Sequence, residues 1–534
     1  MIKVILAHVL FLTVCAIPVN GERHKVWRQF GYEAFAAGKA HGIAIAADGT
    51  LRPAAALDSF ATVDAERIWD LAQGDDGTIY AATGDDGRLY SIDENGASTL
   101  LFDSPEVSLH ALAIGQDGTL YAGSAPDGIV YKLPRNGQPT VLAHTGSHYV
   151  WDLAFDGRGR LYAATGEPAN VLRIDADGQI EEVFSPDDRH IISLLFIDDT
   201  LYAGSAQKGR VYEVGDGNGR LLFEAAQEEI HALVSDAEGV LYAAAISGEG
   251  SDQSTALFRT ETSGSTYEWW RDGSAQLRDL ARANDALLVA TDDGRIVQLN
   301  AAAQPSLLAH GDDFKTNRML RAADESIYLA SAHTGQLRRL GPARSEGHYE
   351  SKVEDVGGHA QWGRVEWRGS GVAVQTRSGN SAEPDATWSD WSTAESQSGA
   401  AIESPAARYI QYKVSLKGRD AHLTDLTLYA QRANLPPHIA SLEVQPYRTP
   451  QARGANQQQQ PSAQNQRSTN PPQSRSLYLL RWQASDPNDE ELVYDLYLRG
   501  EDQKQWKKAH EGEERSSLLW DTATMPEGWT QLKL

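Results

Sequence analysis

The sequence predicts an all-β protein, most of it seven copies of one four-stranded sheet closed into a ring. Two observations carry this. A hydrophobic–Tyr–Ala signature, or its close variant, centres on Tyr80, Tyr121, Tyr162, Tyr202, Tyr242, Leu288 and Tyr328, at steps of 41, 41, 40, 40, 46 and 40 residues. Within each copy, apolar residues alternate or fall in short runs broken by turn signals, a pattern that excludes helices. Seven copies at this period fit a seven-bladed β-propeller.

The first copy shows the grammar. Ile68–Ala72 reads as the inner strand, Thr78–Thr83 as the second, Arg88–Ile92 as the third and Ala97–Phe102 as the outer strand. Asp76-Gly77, Asp86-Gly87 and Asn95-Gly96 supply the turns, because glycine accepts the positive φ of a tight hairpin. The long fifth step is assigned to an insertion at Ser247–Ser254. One such sheet exposes two apolar faces, so the copies must shelter one another in a ring. The seventh copy stops at Gly341-Pro342 without an outer strand, and Gly49–Phe60 reads as an orphan one. Residues near Leu51–Leu57 are therefore expected to close the ring, with Pro53 on an edge.

These units, such as Asp76-Gly77-Thr78-Ile79-Tyr80-Ala81-Ala82-Thr83 followed by Gly87-Arg88-Leu89-Tyr90, resemble WD40-like and regulator-type propellers over residues 40–343. The second group occurs in periplasmic sensors of two-component systems. The resemblance implies the fold and leaves the activity open, since propellers host many. Trp69-Asp70 and Trp151-Asp152 sit at strand starts, so they are not the WD40 dipeptide.

The period stops at His348, and runs at Gly363–Trp367, Val372–Arg377, Arg408–Leu416 and Leu423–Ala430 read as a β-sandwich. Trp388-Ser389-Asp390-Trp391-Ser392 spells a cytokine-receptor motif, for which a structural or loop role is expected here. The block from Trp362 to Tyr409 resembles sandwiches that follow propellers in secreted bacterial proteins. After Leu435-Pro436-Pro437, strands at His438–Gln445, Leu477–Ala484 and Leu492–Arg499 resemble an incomplete fibronectin type III-like module. A Gln/Asn/Ser/Pro-rich insertion, residues 447–476, interrupts it and is expected to be disordered. Ser485–Glu490 is read as an acidic turn. The expected domains are a signal peptide (1–21), the propeller (22–343), the sandwich (344–432) and the last module (433–534).

The chain has 534 residues and a formal charge of −25. Such a charge disfavours nucleic acid and anionic membrane surfaces as partners. Lys3 followed by an apolar run from Val4 to Ala16 has the length of a signal-peptide core and is too short to span a bilayer. Export to the periplasm or beyond is expected, with Cys15 a weak candidate for lipidation. Cys15 is the single cysteine, so no disulfide is expected after cleavage.

No phosphate loop, zinc-binding helix motif or nucleophile elbow occurs. The candidate site is positional: propeller ligands sit over the central channel, where inner strands begin. Aligned strand starts bring together Trp69, Asp70, His110, Trp151, Asp152, His231, Arg278, Asp279 and Arg318. Such a set suits a polar ligand held by ring stacking and charge-assisted hydrogen bonds. The expected function is an exported, non-enzymatic binding or scaffolding protein, monomeric and without cofactor or metal, whose partner is a protein or a polar small ligand such as a glycan. Two alternatives stand beside it. One is a lactonase-like or phosphotriesterase-like hydrolase holding a metal with Asp70, Asp152 and Asp279. The other is a sensor fragment of the regulator-propeller type.

Overall fold

The structure, a computed structural model, describes residues 24–215, 218–247, 255–283, 285–432, 435–447, 476–487, 490–501, 503–523, 525 and 530–534. The signal segment with Cys15, nearly all of the insertions at 247–254 and 447–476, and Asn488-Asp489 of the acidic turn lie outside the described residues. No described helix is long and apolar enough to cross a membrane. The chain divides into two compact units: residues 26–355 with 362–429, and a second made chiefly of residues 430–534.

The first unit contains seven antiparallel sheets of four strands, which makes it a β-propeller. Blade 1 runs Ile68–Gln73, Ile79–Thr83, Arg88–Ile92, Ser98–Asp103. Blades 2 to 6 repeat the meander from inner strands Ser108–Ile114, Tyr149–Phe155, His190–Ile197, Glu229–Ser235 and Leu277–Ala283. Blade 7 has three strands in sequence, Thr316–Arg321, Ile327–Ser331 and Gln336–Ala343. Its fourth is Ala55–Thr62, antiparallel to Gln336–Ala343. The N-terminal segment thus closes the ring, but with residues 55–62 rather than Leu51–Leu57.

Leu51–Pro53 has a different partner. It pairs with Ile43–Ile45 and reaches Leu423 of the sandwich. Phe35, Ile43, Ile45 and Leu51 are fully or almost fully buried in the sandwich core, with Val374, Ile410, Tyr412, Val414 and Leu428. The sequence reading gave everything from residue 22 to the ring. Apolar residues 35–51 instead fill the sandwich, where Gln29 donates to Tyr349 Oη and accepts from Tyr412 Oη.

Each pair of neighbouring blades traps its own apolar cluster. Blades 7 and 1 share Ile68, Ile79, Tyr90, Ile92, Ala330 and Leu337. Small residues let the sheets approach: Ala81, Ala122, Ala163, Ala203 and Ala243, each following the repeat tyrosine, are at most 1% exposed. A hydroxyl three residues after the repeat's central position recurs in six blades as Thr83, Ser124, Thr165, Ser205, Thr291 and Ser331, all nearly fully buried. Each accepts the N–H that opens or precedes the third strand, as Thr83 Oγ1 accepts from Arg88 at 3.1 Å and Ser124 Oγ from Ile129 at 3.0 Å. Blade 5 has Ala245 instead, and there the two strands stay paired two residues further, to Ile246 and Thr255, where the insertion begins.

The sandwich strand Val372–Gly379 pairs with Ala407–Lys417 on one edge. On its other side lies the Trp-Ser-Asp-Trp-Ser segment. Ser389, Ser392 and Glu395 meet Ser378, Thr376 and Val374, every third residue of one against every second of the other. Arg377 lies over the Trp391 ring at 4.5 Å and Trp388 at 5.7 Å, with Lys413 also 4.5 Å from Trp391. The motif therefore forms a cation–π ladder that packs the sandwich.

The second unit contains two three-stranded antiparallel sheets. One is His438–Pro446, Leu477–Ser485 and Ser517–Asp521; the other is Lys507–Glu513, Tyr494–Gly500 and Thr530–Lys533. Leu480, Trp482 and Leu496 form their core, and Trp482 meets Tyr494 edge-on at 5.1 Å.

Candidate functional site

Every inner strand of the propeller carries a bulge at the same point. Pairing skips one residue between Ile68 and Asp70, Leu109 and Ala111, Val150 and Asp152, Ile191 and Ser193, Ile230 and Ala232, Leu277 and Asp279, and Thr316 and Arg318. A bulged residue leaves the ladder and its side chain is re-aimed. The seven skipped residues are Trp69, His110, Trp151, Ile192, His231, Arg278 and Asn317, and all line one cavity of about 380 Å³.

The sequence alignment of strand starts is right in six blades and one residue off in the seventh. It placed Arg318 among the skipped residues, where Asn317 stands. Arg318 occupies the next position, equivalent to Asp70, Asp152 and Asp279.

That next position has a different task. Asp70 accepts from the Leu71 N–H at 2.9 Å and from Leu112 of blade 2 at 2.8 Å. Asp152 accepts from Leu153 at 2.8 Å and from Leu194 of blade 4 at 2.7 Å. Asp279 accepts from Met319 of blade 7 at 2.6 Å. Ser193 uses its hydroxyl on the Ile230 carbonyl of blade 5 at 3.0 Å. These side chains pin the inner strands of blades 1, 3, 4 and 6 to those of the blades that follow, while blades 2 and 5 carry Ala111 and Ala232 at this position. Arg318 sits between two of the carboxylates, with Nε 2.9 Å from Asp70 and Nη1 3.6 Å from Asp279.

The environment sorts the charges. The Asp70 carboxylate, burial, and Asp279 and Asp152 shape Arg318, whose pKa rises further, so it stays cationic. Burial raises Asp279, against Arg318 and its amide donors. Burial pushes Asp152 up to about 7, opposed by Arg318 and its two amides and reinforced by Asp70. Burial takes His110 down to about 4, aided by Arg67, and takes His231 to about 4, aided by Arg278 and Arg318. Both histidines are neutral at pH 7.

Blades 1 to 3 build an aromatic wall. His110 stacks on Trp151, centroids 4.7 Å apart and planes 5° apart, and Tyr149 stacks on Trp151 at 4.9 Å. Trp69 meets His110 edge-on at 4.7 Å and carries the Arg67 guanidinium 4.9 Å from its ring. Trp151 Nε1 donates to His190 Nδ1 at 3.1 Å. Ser108 Oγ lies 2.8 Å from His110 Nε2, while the buried His110 Nδ1 has no partner. Glycine makes room for both indoles: a Cβ on Gly84 would come 2.5 Å from Trp69 Nε1, and one on Gly166 2.6 Å from Trp151 Nε1.

Blades 5 to 7 build the opposite, polar wall from Glu229, His231, Arg278, Asn317 and Arg318. Asn317 Nδ2 donates to the Ile68 carbonyl at 3.0 Å. Burial and Glu228 raise the Glu229 pKa, while Arg278 opposes them. The side chains lining this one cavity can therefore stack a ring, donate and accept hydrogen bonds, and meet a charge. His190, Glu229 and Asn317 of the lining were missed in the sequence, as was Tyr149, which stacks on Trp151 without lining the cavity itself. His190 and Glu229 open inner strands, and Tyr149 lies two residues before Trp151, so strand-start position was the available signal for three of them.

Three comparisons bear on the chain. No family model matches it, and no curated protein does. Solved structures of similar outline include a streptogramin B lyase, with 14% identity and a TM-score of 0.46 over 53% of this chain and 96% of that one. Another is catalytically inactive virginiamycin B lyase from Staphylococcus aureus with quinupristin, with 13% identity and a TM-score of 0.44 over 59% and 99%. A third is the extracellular domain of a protein described as a hybrid two-component system from B. thetaiotaomicron, with 14% identity and a TM-score of 0.44 over 60% and 44%. At these identities and scores the likeness carries no argument about chemistry.

Proposed function

We propose that this protein is an exported, non-enzymatic binding protein whose propeller holds a small, polar, ring-bearing ligand in the mouth of its channel. We read the C-terminal sheets as a fibronectin type III-like spacer module. One observation carries the binding role: seven bulges deliver an aromatic wall and a polar wall to the same cavity of about 380 Å³. That volume lies within the usual range of ligand pockets, and rings facing polar groups are their usual lining. The Asp70, Asp152 and Asp279 carboxylates are engaged by backbone amides and, for two of them, by Arg318. This speaks for a pinning role and against their use as the ligand set of a hydrolase.

The test is a thermal-shift and fluorescence screen of the full chain against mono- and oligosaccharides and aromatic metabolites. Hits are expected to disappear in a Trp69→Ala/Trp151→Ala double variant that still melts cooperatively. An empty screen, or hits that survive in the double variant, would sink the proposal.

A further inference from the structure

Arg278 is the bulged residue of blade 6 and projects into the cavity. Among the described residues, no hydrogen bond or ion pair engages its guanidinium. The other cavity arginine differs, since Asp70 and Asp279 flank Arg318 within ion-pair distance. The neighbours of Arg278 offset its charge only in part: His231 is neutral at pH 7, and Glu229, which feels the guanidinium's charge, makes no ion pair with it. A chain with formal charge −25 thus keeps, inside its cavity, one guanidinium without a direct ion-pair partner among the described residues. Desolvating such a group is costly unless a partner arrives.

The position of Arg278 relative to the rings adds a second constraint. In a ring of seven blades, blade 6 stands across the axis from blades 2 and 3, which carry His110, Tyr149 and Trp151. A ligand spanning the mouth therefore meets stacked rings at one end and a guanidinium at the other.

Resting on the channel-mouth reading above, the geometry points to a ligand that is a ring carrying a carboxylate, its ring face on the Trp151 wall and its carboxylate on Arg278. The guanidinium presents paired N–H donors that match a carboxylate's two oxygens. Two sources offer this chemistry: an acidic sugar of the uronate type and an aromatic acid.

Calorimetry with the full chain separates them, using two matched pairs of probes: digalacturonate against its methyl ester, and indole-3-acetate against indole-3-acetamide. In one pair the acid is expected to bind roughly tenfold or more tightly than its neutral counterpart. Arg278→Gln should erase that ratio while leaving the melting temperature unchanged. Trp151→Ala should weaken acid and neutral probes alike. Equal binding of acid and neutral probes, or a ratio that survives Arg278→Gln, overturns the inference and leaves the binding site standing. No binding of any of the four probes overturns the inference; loss of the site itself is read separately from the broad screen.

Discussion

Asp70 Oδ1 lies 2.9 Å from Arg318 Nε, although 248 residues separate them in the chain. The pair joins the first blade to the last at the channel, on the side of the sheet opposite to the closing strand. Asp70 is also pinned to Leu71 and to Leu112, so one carboxylate links three consecutive blades. Removing Arg318 strands Asp70 and Asp279, whose side chains are 6% and 4% exposed. Breaking a fully buried pair from one side costs about 3 kcal/mol or more, and less here because the Arg318 side chain is 38% exposed and solvent screens it. Arg318→Met is therefore expected to lower urea stability by about 1–2 kcal/mol, and Arg318→Met with Asp70→Asn by less than the sum of the single effects. Additive losses would mean the two residues act independently.

The closing strand can be tested without truncation, which would also remove residues of the sandwich core. Leu57 packs with Leu288, Ala290 and Ile296 of blade 6, and Ala61 with Ile79, Tyr90 and Ile92 of blade 1. Leu57→Ala should cost about 2–3 kcal/mol through the cavity it leaves. Ala61→Asp should cost more, because a charge enters a dry cluster. Chemical denaturation monitored by tryptophan emission reads both. If neither changes the midpoint, the ring does not depend on this strand.

The parts of the structure that repeat were legible in the sequence, and those that occur once were not. The repeat period placed all seven second strands because the residue after the central position is buried between neighbouring sheets in every blade, as alanine in five of them and as Val289 and Leu329 in the other two. Closure was legible because blade 7 lacked a strand. Its register was not: Leu51 and Leu57 are equally apolar, and only the tertiary partner decides that one fills the sandwich and the other the ring. The cavity residues were legible as strand starts, but a bulge shifts the pattern by one residue without any compositional mark, so Asn317 and Arg318 were exchanged. The double role of the second position was equally hidden. Nothing in Trp69-Asp70 says that the indole faces a cavity while the carboxylate holds the next blade.

The buried titrating groups give stability a pH profile. His110 and His231 titrate near 4 in the folded chain against a usual 6.5, so the unfolded chain binds more protons between those values. Their contribution is present above 6.5 and lost as pH falls through 4. Asp152 works in reverse. With its folded value near 7, its contribution is fully present below the unfolded carboxylate range and lost as pH rises through 7. The histidine slopes and the opposing aspartate slope overlap between pH 4 and 6.5. Asp152→Asn keeps the side chain's size and removes its titration, so it should steepen the rise of stability with pH in that window. Denaturation midpoints at half-unit steps test this, and an unchanged slope would refute it.

The tryptophan ladder of the sandwich depends on hydroxyls as well as on rings. Ser389 Oγ accepts the Ser378 N–H at 3.0 Å, and Ser392 Oγ accepts the Thr376 N–H at 3.0 Å. Each serine to alanine change leaves one amide donor without its acceptor and should cost about 1 kcal/mol. Arg377→Met should cost more than either, because the guanidinium also bonds Gln411 Oε1 at 2.9 Å through Nε. Melting curves of the three variants should rank in that order. A neutral Arg377→Met would remove the ladder from the account of sandwich stability.

Gly166 offers a way to move the aromatic wall without touching any group that could bind. A Cβ there would stand 2.0 Å from His190 Nδ1 and 2.6 Å from Trp151 Nε1, so both rings must shift in Gly166→Ala. The atoms that clash are the ends of side chains lining a cavity, so the rings can yield into open space and the fold should survive nearly intact. Their mutual hydrogen bond cannot survive at its present geometry. His190 titrates below its usual value because of burial, and protonating Nδ1 removes the acceptor of the Trp151 N–H. The wild-type protein should therefore show a tryptophan emission change with a midpoint below 6.5, absent from Trp151→Phe and altered in Gly166→Ala. Gly166→Ala should also weaken every ring-bearing ligand of the cavity while shifting the melting temperature little. Full affinity in Gly166→Ala would place the ligand elsewhere than on the Trp151 wall.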